Sequence, residues 1–457
     1  MSYLLDFIRS FDENEWKQFR QLDVIGTEEA VRDEYVKRAL SKNFDEAALP
    51  EKLELTQNHF YKINSVLLDK IISRLYGTDY DKALKAILLK GLGALLWHEL
   101  KIMQRKIQKE KNPDRLTQFY KGAFDTLIKM FHPNYNAQLT REYGKKYLQS
   151  LGNKKTIEHE AYIALFTHYG DMLAHYFSGD LSYQKQAWAV LSSWQKKLAL
   201  AQNPSADAYY HFVLGNCYKY YGDNTDLFIK AQEDGLEALK KATPQANILL
   251  RGRLLCETGF GYMEKNEFDK AQPFYEKAFG LSDEQFAKPY FHAGNYFYSC
   301  LCNQQPPKAQ QIFEKYLQNY LQDNTNRSLR FDVIQMKFVL ALHTRQYDIA
   351  YDCLNEMRSY KKGEVTRNGN ILIRFSETLY YYKLGEDKVA AAMAKKNLKF
   401  LHLSENNSNQ YDYHRQFIDS IDKLIKKKEG SLRFPERLEQ QIASLQGGIY
   451  HMYNCLL

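Results

Sequence analysis

Apolar residues recur at three- and four-residue steps along this chain, the period of one helical face. Near the N-terminus, Trp16, Phe19 and Leu22 follow Ser10-Phe-Asp-Glu13, which has the spacing of a capping box. Thr27, followed by two glutamates, is placed to cap a second helix running to about Leu40, its acids lying where the helix dipole is positive. Pro50 suits the first turn of a third helix, on which Leu53, Phe60, Ile63, Leu67, Ile71 and Leu75 share a face up to Gly77. A long helix is expected over Ala83–Lys109, with Leu84, Ile87, Leu88, Leu92, Leu95 and Leu96 on its apolar face. Asn112-Pro113 ends it, because the residue before a proline is pushed out of the α region. Two more helices fit residues 114–158, separated by His132-Pro133-Asn134.

From about residue 159 a longer register emerges. Small residues on every second expected helix align as Ala187, Ala231, Ala271, Ala309, Ala350 and Ala390, at intervals of 44, 40, 38, 41 and 40 residues. The clearest unit runs from Gly259 to Ala278 and places Gly259, Tyr262, Asn266, Phe268, Ala271, Tyr275 and Ala278 at steps of 3, 4, 2, 3, 4 and 3. That pattern resembles the tetratricopeptide (TPR) repeat, in which two helices cross closely at small residues while aromatics fill the remaining space. The unit around Leu214-Gly215 keeps Tyr218 and Gly222-Asp223, but its alanine comes late. Ala350 keeps Tyr347 and has Leu354 and Met357 where an aromatic and a small residue belong; Ala390 keeps only Gly385. The intervals exceed the ~34 residues of an ideal TPR, so longer helices or turns are expected.

The resemblance implies an all-α fold, a TPR-like α-solenoid of antiparallel helix pairs with an N-terminal helical domain. Its expected divisions are a head over 1–80, a helical connector or atypical first repeats over 81–158, the array over 159–430, and a capping helix and tail over 431–457. The head, with its Leu-Leu-x-Phe-Ile-x-Ser-Phe-x-x-x-Glu-Trp-x-x-Phe run and Asn58–Lys70, is similar to the head of uncharacterised TPR-like proteins of Bacteroidetes-type bacteria. That similarity implies a bacterial scaffold and supplies no activity.

Composition narrows the class. At 44% hydrophobic and 26% charged, the 457-residue chain belongs with globular proteins, and 10 Pro and 23 Gly are few for a β-rich or linker-rich one. The 35 Tyr and 26 Phe are expected to act mainly as packing wedges between helices, some lining a groove. Residues 1–80 carry 11 Lys and Arg against 15 Asp and Glu, a charge of −4, which leaves +12 on the rest of a chain whose net charge is +8. Any polyanion contact is therefore expected outside the head. The six cysteines are scattered over different expected helices and read as reduced thiols. The N-terminus lacks the basic and apolar regions of a signal peptide, and no 18-residue apolar run occurs, so a cytoplasmic protein with no membrane span is expected.

Motifs for chemistry are sparse. Neither G-x-G-x-x-G nor G-x-x-x-x-G-K-[ST] is present, no G-x-S-x-G marks a nucleophile, and His168 and His175, seven apart around Asp171, lack the spacing of H-E-x-x-H. The expectation is a non-enzymatic protein with no cofactor or metal. In TPR arrays the first helix of each pair lines a concave face, and transfer of those positions gives Tyr209, Phe212, Asn216 and Lys219, then Arg253, Cys256, Phe260 and Met263. Later units add Phe291, Tyr298, Phe375 and Tyr382. These residue types suit a hydrophobic or mixed groove for a protein or peptide partner. Asn216 matches the asparagine of the carboxylate clamp found in some TPR domains, but Phe212 stands where its lysine belongs and Glu257 takes the next unit's asparagine position. The alternative partner is a nucleic acid, met by a cationic stripe of Lys101, Arg105 and Lys109, with further basic clusters at Lys395, Lys396 and Lys399 and at Lys426–Lys428.

Overall fold

The computed structural model describes residues 3–401 apart from 42–43, 78–82, 84–86, 88–92, 108, 110–111, 129–135, 243–247, 282–289, 323–326 and 361–366. Among the described residues there are twenty α-helices and no strand, and no helix is long and apolar enough to cross a membrane. The capping segment expected over 431–457, Lys426–Lys428 and the break at 132–134 lie outside the described residues. Two compact units are present, Met1–Gly222 and Asp223–Leu457, so the division falls inside the stretch expected to form one array.

The first unit opens with α1 (Tyr3–Arg9), α2 (Glu13–Arg20) and α3 (Thr27–Arg38), all packed on α5 (Gln57–Tyr76), with the short α4 (Leu49–Lys52) before it. Phe7, Phe19, Tyr35, Phe60 and Leu67 meet there in a fully enclosed core. Each such side chain contributes roughly 1.5–3 kcal/mol by leaving water. Three expected caps moved. The capping box is Asp12 with Glu15, because Ser10 Oγ donates to Phe7 O at 2.6 Å and closes α1 instead. Thr27 is the first residue of α3 rather than its cap; Gly26, at φ +60°, turns the chain into it, and the helix stops at Arg38. Pro50 opens α4, which ends at once; the chain turns through Glu54 at φ +54°, and Thr56 Oγ1 accepts from His59 N to start α5.

The rest of this unit holds α6 (Gly93–Ile107), α7 (Pro113–Leu127), α8 (Ala137–Ser150), α9 (Ile157–Phe177), α10 (Gln184–Ala201) and α11 (Pro204–Cys217), which ends in a π-helical turn, Tyr218–Gly222. Asn112 is extended, as expected before a proline, and its side chain caps α7. Ile87 and Leu95 from the long apolar face are buried. Buried Asp125 on α7 accepts from Tyr162 Oη on α9 and pairs with Lys121 at 2.9 Å, so its charge is not left alone in the core.

In the second unit one turn recurs. Its helices are α12 (Thr225–Lys241), α13 (Ile248–Glu264), α14 (Phe268–Phe279), α15 (Tyr290–Cys302), α16 (Pro306–Ile312), α17 (Arg327–His343), α18 (Tyr347–Arg358), α19 (Arg367–Leu384) and α20 (Asp387–Leu401). Helices α13, α15, α17 and α19 each close on a left-handed residue: Asn266 (φ +57°), Gln304 (+54°), Arg345 (+57°) and Gly385 (+83°). In every case the next residue donates its N–H five residues back, Glu267 to Tyr262 O, Gln305 to Cys300 O, Gln346 to Ala341 O and Glu386 to Tyr381 O, at 2.8–3.0 Å. This is a Schellman closure, which satisfies carbonyls that the helix end leaves open. Five residues after each left-handed residue stands Ala271, Ala309, Ala350 or Ala390, and all four are wholly buried.

Small residues bring these helices together. Successive helices pack on each other, and α13 also touches α15, as α17 touches α19. A Cβ on Gly259 of α13 would lie 3.0 Å from the ring of fully buried Tyr275 on α14, and one on Gly261 would lie 2.5 Å from Ile229. Beside them, Tyr262 stacks on Phe274 at 5.6 Å. Gln272 fastens α14 to the next turn: its Nε2 donates to Gln305 Oε1 (2.9 Å), and its Oε1 accepts from Asn303 Nδ2 (2.7 Å), which also donates to Phe268 O (2.9 Å).

Glycine positions separate two physical effects. Alanine in a helix gains about 1 kcal/mol over glycine, whereas overpacking a rigid core costs about 1–3 kcal/mol. Gly259→Ala meets the enclosed Tyr275 ring and is expected to lower the urea-unfolding midpoint. Gly294→Ala meets only the mobile end of Met336, at 2.7 Å, and is expected to leave the midpoint level or raise it.

Candidate functional site

Three of the four candidate groove residues of the first unit are inside the protein. Helix α11 packs on α9, where Phe212 stacks on Phe166 at 5.5 Å and meets Tyr169 at 5.2 Å, while Tyr209 meets Tyr162 at 5.2 Å. Phe212 is 1% exposed, Tyr209 5% and Asn216 0%. Asn216 Nδ2 donates to Phe212 O at 2.8 Å, so the amide matching a carboxylate clamp is spent on its own helix. Lys219 is half-buried in the π-helical turn, 5.2 Å over the Tyr220 ring. A side chain without exposed surface cannot touch a partner, so only Lys219 of this set is presented.

The second unit presents more. Cys256, Met263 and Phe375 are wholly buried, and Phe260 and Tyr298 nearly so. Arg253 and Tyr382 are half-buried, and Phe291 is 44% exposed. Arg253 and Phe260 lie seven residues apart, hence on one face of α13, and the Phe260 and Phe291 rings are 6.0 Å apart. The result is a small apolar surface at Phe291 floored by Phe260, with Arg253 two turns earlier on the same helix as Phe260.

Titratable groups are held by protein partners. The buried His168 Nδ1 lies 2.9 Å from Tyr183 Oη, and the His175 ring stacks on the Tyr183 ring at 4.6 Å and 1°. His175 Nδ1 pairs with Asp180 at 2.8 Å, and Asp171 with Arg141 at 2.6 Å. Burial pushes the His168 imidazole down to about 4, with Asp171 pulling weakly the other way. Among the described residues no group of three or more His, Cys, Asp or Glu is placed to hold a metal ion. Cys217, Cys256, Cys300 and Cys353 are free, buried thiols, and burial raises all four, Cys217 and Cys300 to about 12. None is a thiolate at neutral pH, so none is an activated nucleophile.

Two cationic features remain. Lys101, Arg105 and Lys109 are all exposed, and none makes an ion pair among the described residues. Beside them, burial first and then the charges of Arg105 and Lys101 lower the His98 pKa. Lys395, Lys396 and Lys399 are likewise exposed on α20. The second feature, absent from the sequence expectations, is an open cleft of about 620 Å³ lined by α8, α9 and the turn between them. Its lining includes Arg141, Lys145 and Lys155 and no acidic residue. The four-residue step from Arg141 to Lys145 was its one legible trace; Lys155 joins them only through the turn.

No protein-family model matches this chain, and no curated protein matches its sequence.

Two measurements follow from the geometry. Phe212→Ala is expected to cost about 3–5 kcal/mol of stability as a core truncation, whereas Phe291→Ala stays within about 0.5 kcal/mol; equilibrium unfolding of both variants distinguishes core from surface. The second concerns pH. His168 has a folded pKa of about 4 against an ordinary 6.5, so the unfolded chain takes up the proton first and stability falls as pH drops from 6.5 toward 4. The loss is up to about 3 kcal/mol. In His168→Gln the unfolding midpoint is expected to vary less over that window than in the wild type.

Proposed function

We propose that this chain is a non-enzymatic interaction scaffold, a TPR-like α-solenoid that binds a protein or peptide partner on the face formed by the first helices of its repeats. The observation that carries the reading is the closure at Asn266, Gln304, Arg345 and Gly385, spaced 38, 41 and 40 residues apart and each followed by a buried alanine. A repeated turn with a repeated close crossing stacks like helices beside like, and stacked first helices make an extended surface. On that surface Phe291, backed by Phe260, and Arg253 supply the aromatic and guanidinium groups that dominate binding energy at interfaces. Phe212, Met263 and Phe375 serve the core instead.

A second reading is favoured by one specific feature, the exposed Lys101 and Arg105 on α6, whose charges add to burial in lowering the His98 pKa, with Lys109 exposed in the turn after the helix. Such a stripe contacts phosphates, and binding through it weakens steeply with salt.

A tagged pull-down from the native host, with and without nuclease, separates the two. On the scaffold reading one dominant protein survives nuclease and moderate salt, and the pair Phe291→Ala with Arg253→Ala reduces its capture about tenfold or more while leaving the unfolding midpoint in place. Recovery that collapses with nuclease, and with Lys101, Arg105 and Lys109 changed to Glu, transfers the function to the stripe.

A further inference from the structure

Four acids that lie inside this protein are each met by a cation. Glu34, Asp125, Asp171 and Glu377 pair with Lys52, Lys121, Arg141 and Arg358 at 2.6–2.9 Å. Asp332 on α17 is not met in this way. It is half-buried and makes no hydrogen bond or ion pair among the described residues. Burial alone raises its carboxyl from an ordinary 3.8 to about 6. A carboxylate withdrawn from water without a partner is a cost to the fold, and an arriving cation removes much of it.

The place of Asp332 in the fold is also specific. It stands 13 residues before the left-handed Arg345. Phe291 stands 13 before Gln304, and Arg253 13 before Asn266, so the three hold one position relative to the recurring closure. Helices α15 and α17 meet where a Cβ on Gly294 would be 2.7 Å from Met336 Cε. Phe291 precedes Gly294 by three residues and Asp332 precedes Met336 by four, so each shares the face of its contact residue, one turn earlier. With the first helices stacked as proposed above, on which this inference rests, Phe291 and Asp332 are neighbours in one row.

We propose that this row takes an extended segment of a partner protein through an arginine, with the guanidinium on the Asp332 carboxylate and a neighbouring aliphatic side chain against Phe291 and Phe260. A guanidinium matches a carboxylate with two parallel hydrogen bonds, keeps its charge where water is excluded, and stacks on aromatic faces. The Phe260 and Phe291 rings, 6.0 Å apart, supply the apolar half of the contact. A metal ion fits less well, because among the described residues no three metal-ligating groups converge. Nucleic acid fits less well too, since a carboxylate repels phosphate.

Fluorescence anisotropy on the full chain tests it, with a labelled peptide of Gly, Leu and Arg as the probe and a version with Gln for Arg as the comparator. The wild type is expected to bind the arginine probe at least about tenfold tighter than the glutamine one. In Asp332→Asn, which removes the charge and keeps the shape, that preference is expected to fall below about twofold. Phe291→Ala is expected to weaken both probes by a similar factor. Asp269→Asn, at an exposed acid of α14, leaves both unchanged. Circular dichroism and the unfolding midpoint of each variant check that folding is retained. An arginine preference that survives Asp332→Asn, or no binding by the wild type at low salt, overturns the proposal. Dimerisation in sedimentation velocity that Phe291→Ala abolishes, without peptide binding, also overturns it and gives the face to a second copy. In the pull-down, capture that depends on Phe291 but not on Asp332 overturns this inference and keeps the scaffold reading. Capture independent of both Phe291 and Arg253 overturns the two together.

Discussion

The close crossing of helices at small residues governs the second unit. Where Gly259 meets Tyr275, the absent side chain of one helix is filled by the ring of the next, and the wholly buried Ala271, Ala309, Ala350 and Ala390 recur at one place in the turn geometry. Such a crossing requires the chain to reverse tightly, and the left-handed closures at Asn266, Gln304, Arg345 and Gly385 do this while satisfying the helix-end carbonyls. Three of those four residues are not glycine, so each closure costs backbone energy that the packing around it must offset. Helix propensity contributes little to this arrangement; tertiary burial keeps the helices formed.

Aromatic residues do two jobs in this protein, and burial separates them. Phe166, Phe212 and Tyr209 interlock between α9 and α11 and have almost no surface left for a partner. Phe291 has the same chemistry but sits at the edge of its cluster, with 44% of its surface open and Phe260 behind it. Which rings are open to contact depends on which ones the packing leaves over. The same division holds for charge: Asp171 is buried, and its partner Arg141 is exposed at the α8–α9 cleft.

The candidate site was legible only in part because a sequence pattern gives register and not exposure. The register that selected Arg253, Phe260 and Phe291 also selected Met263 and Phe375, which share the helix face up to the point where a neighbouring helix covers it. The charged cleft went unread for the opposite reason. Arg141 and Lys145 look like one more solvated helix face until Gly144 brings Ile163 and Ala164 alongside them.

What the sequence determined by itself was the helical character, the Asn112-Pro113 break, and the spacing of the six alanines, all of which are buried. These follow from local physics: the period of apolar residues, the steric demand of proline, and the need for small side chains where backbones meet. What only the tertiary structure decided was the placing of the caps, the division at Gly222, and which of several equivalent rings remained at the surface. Ser10 lost its cap to Asp12 because its hydroxyl found Phe7 O, and Phe212 became core because Phe166 came to lie against it. Such outcomes depend on partners distant in the sequence or on competition between equally suitable neighbours, and no local pattern encodes them.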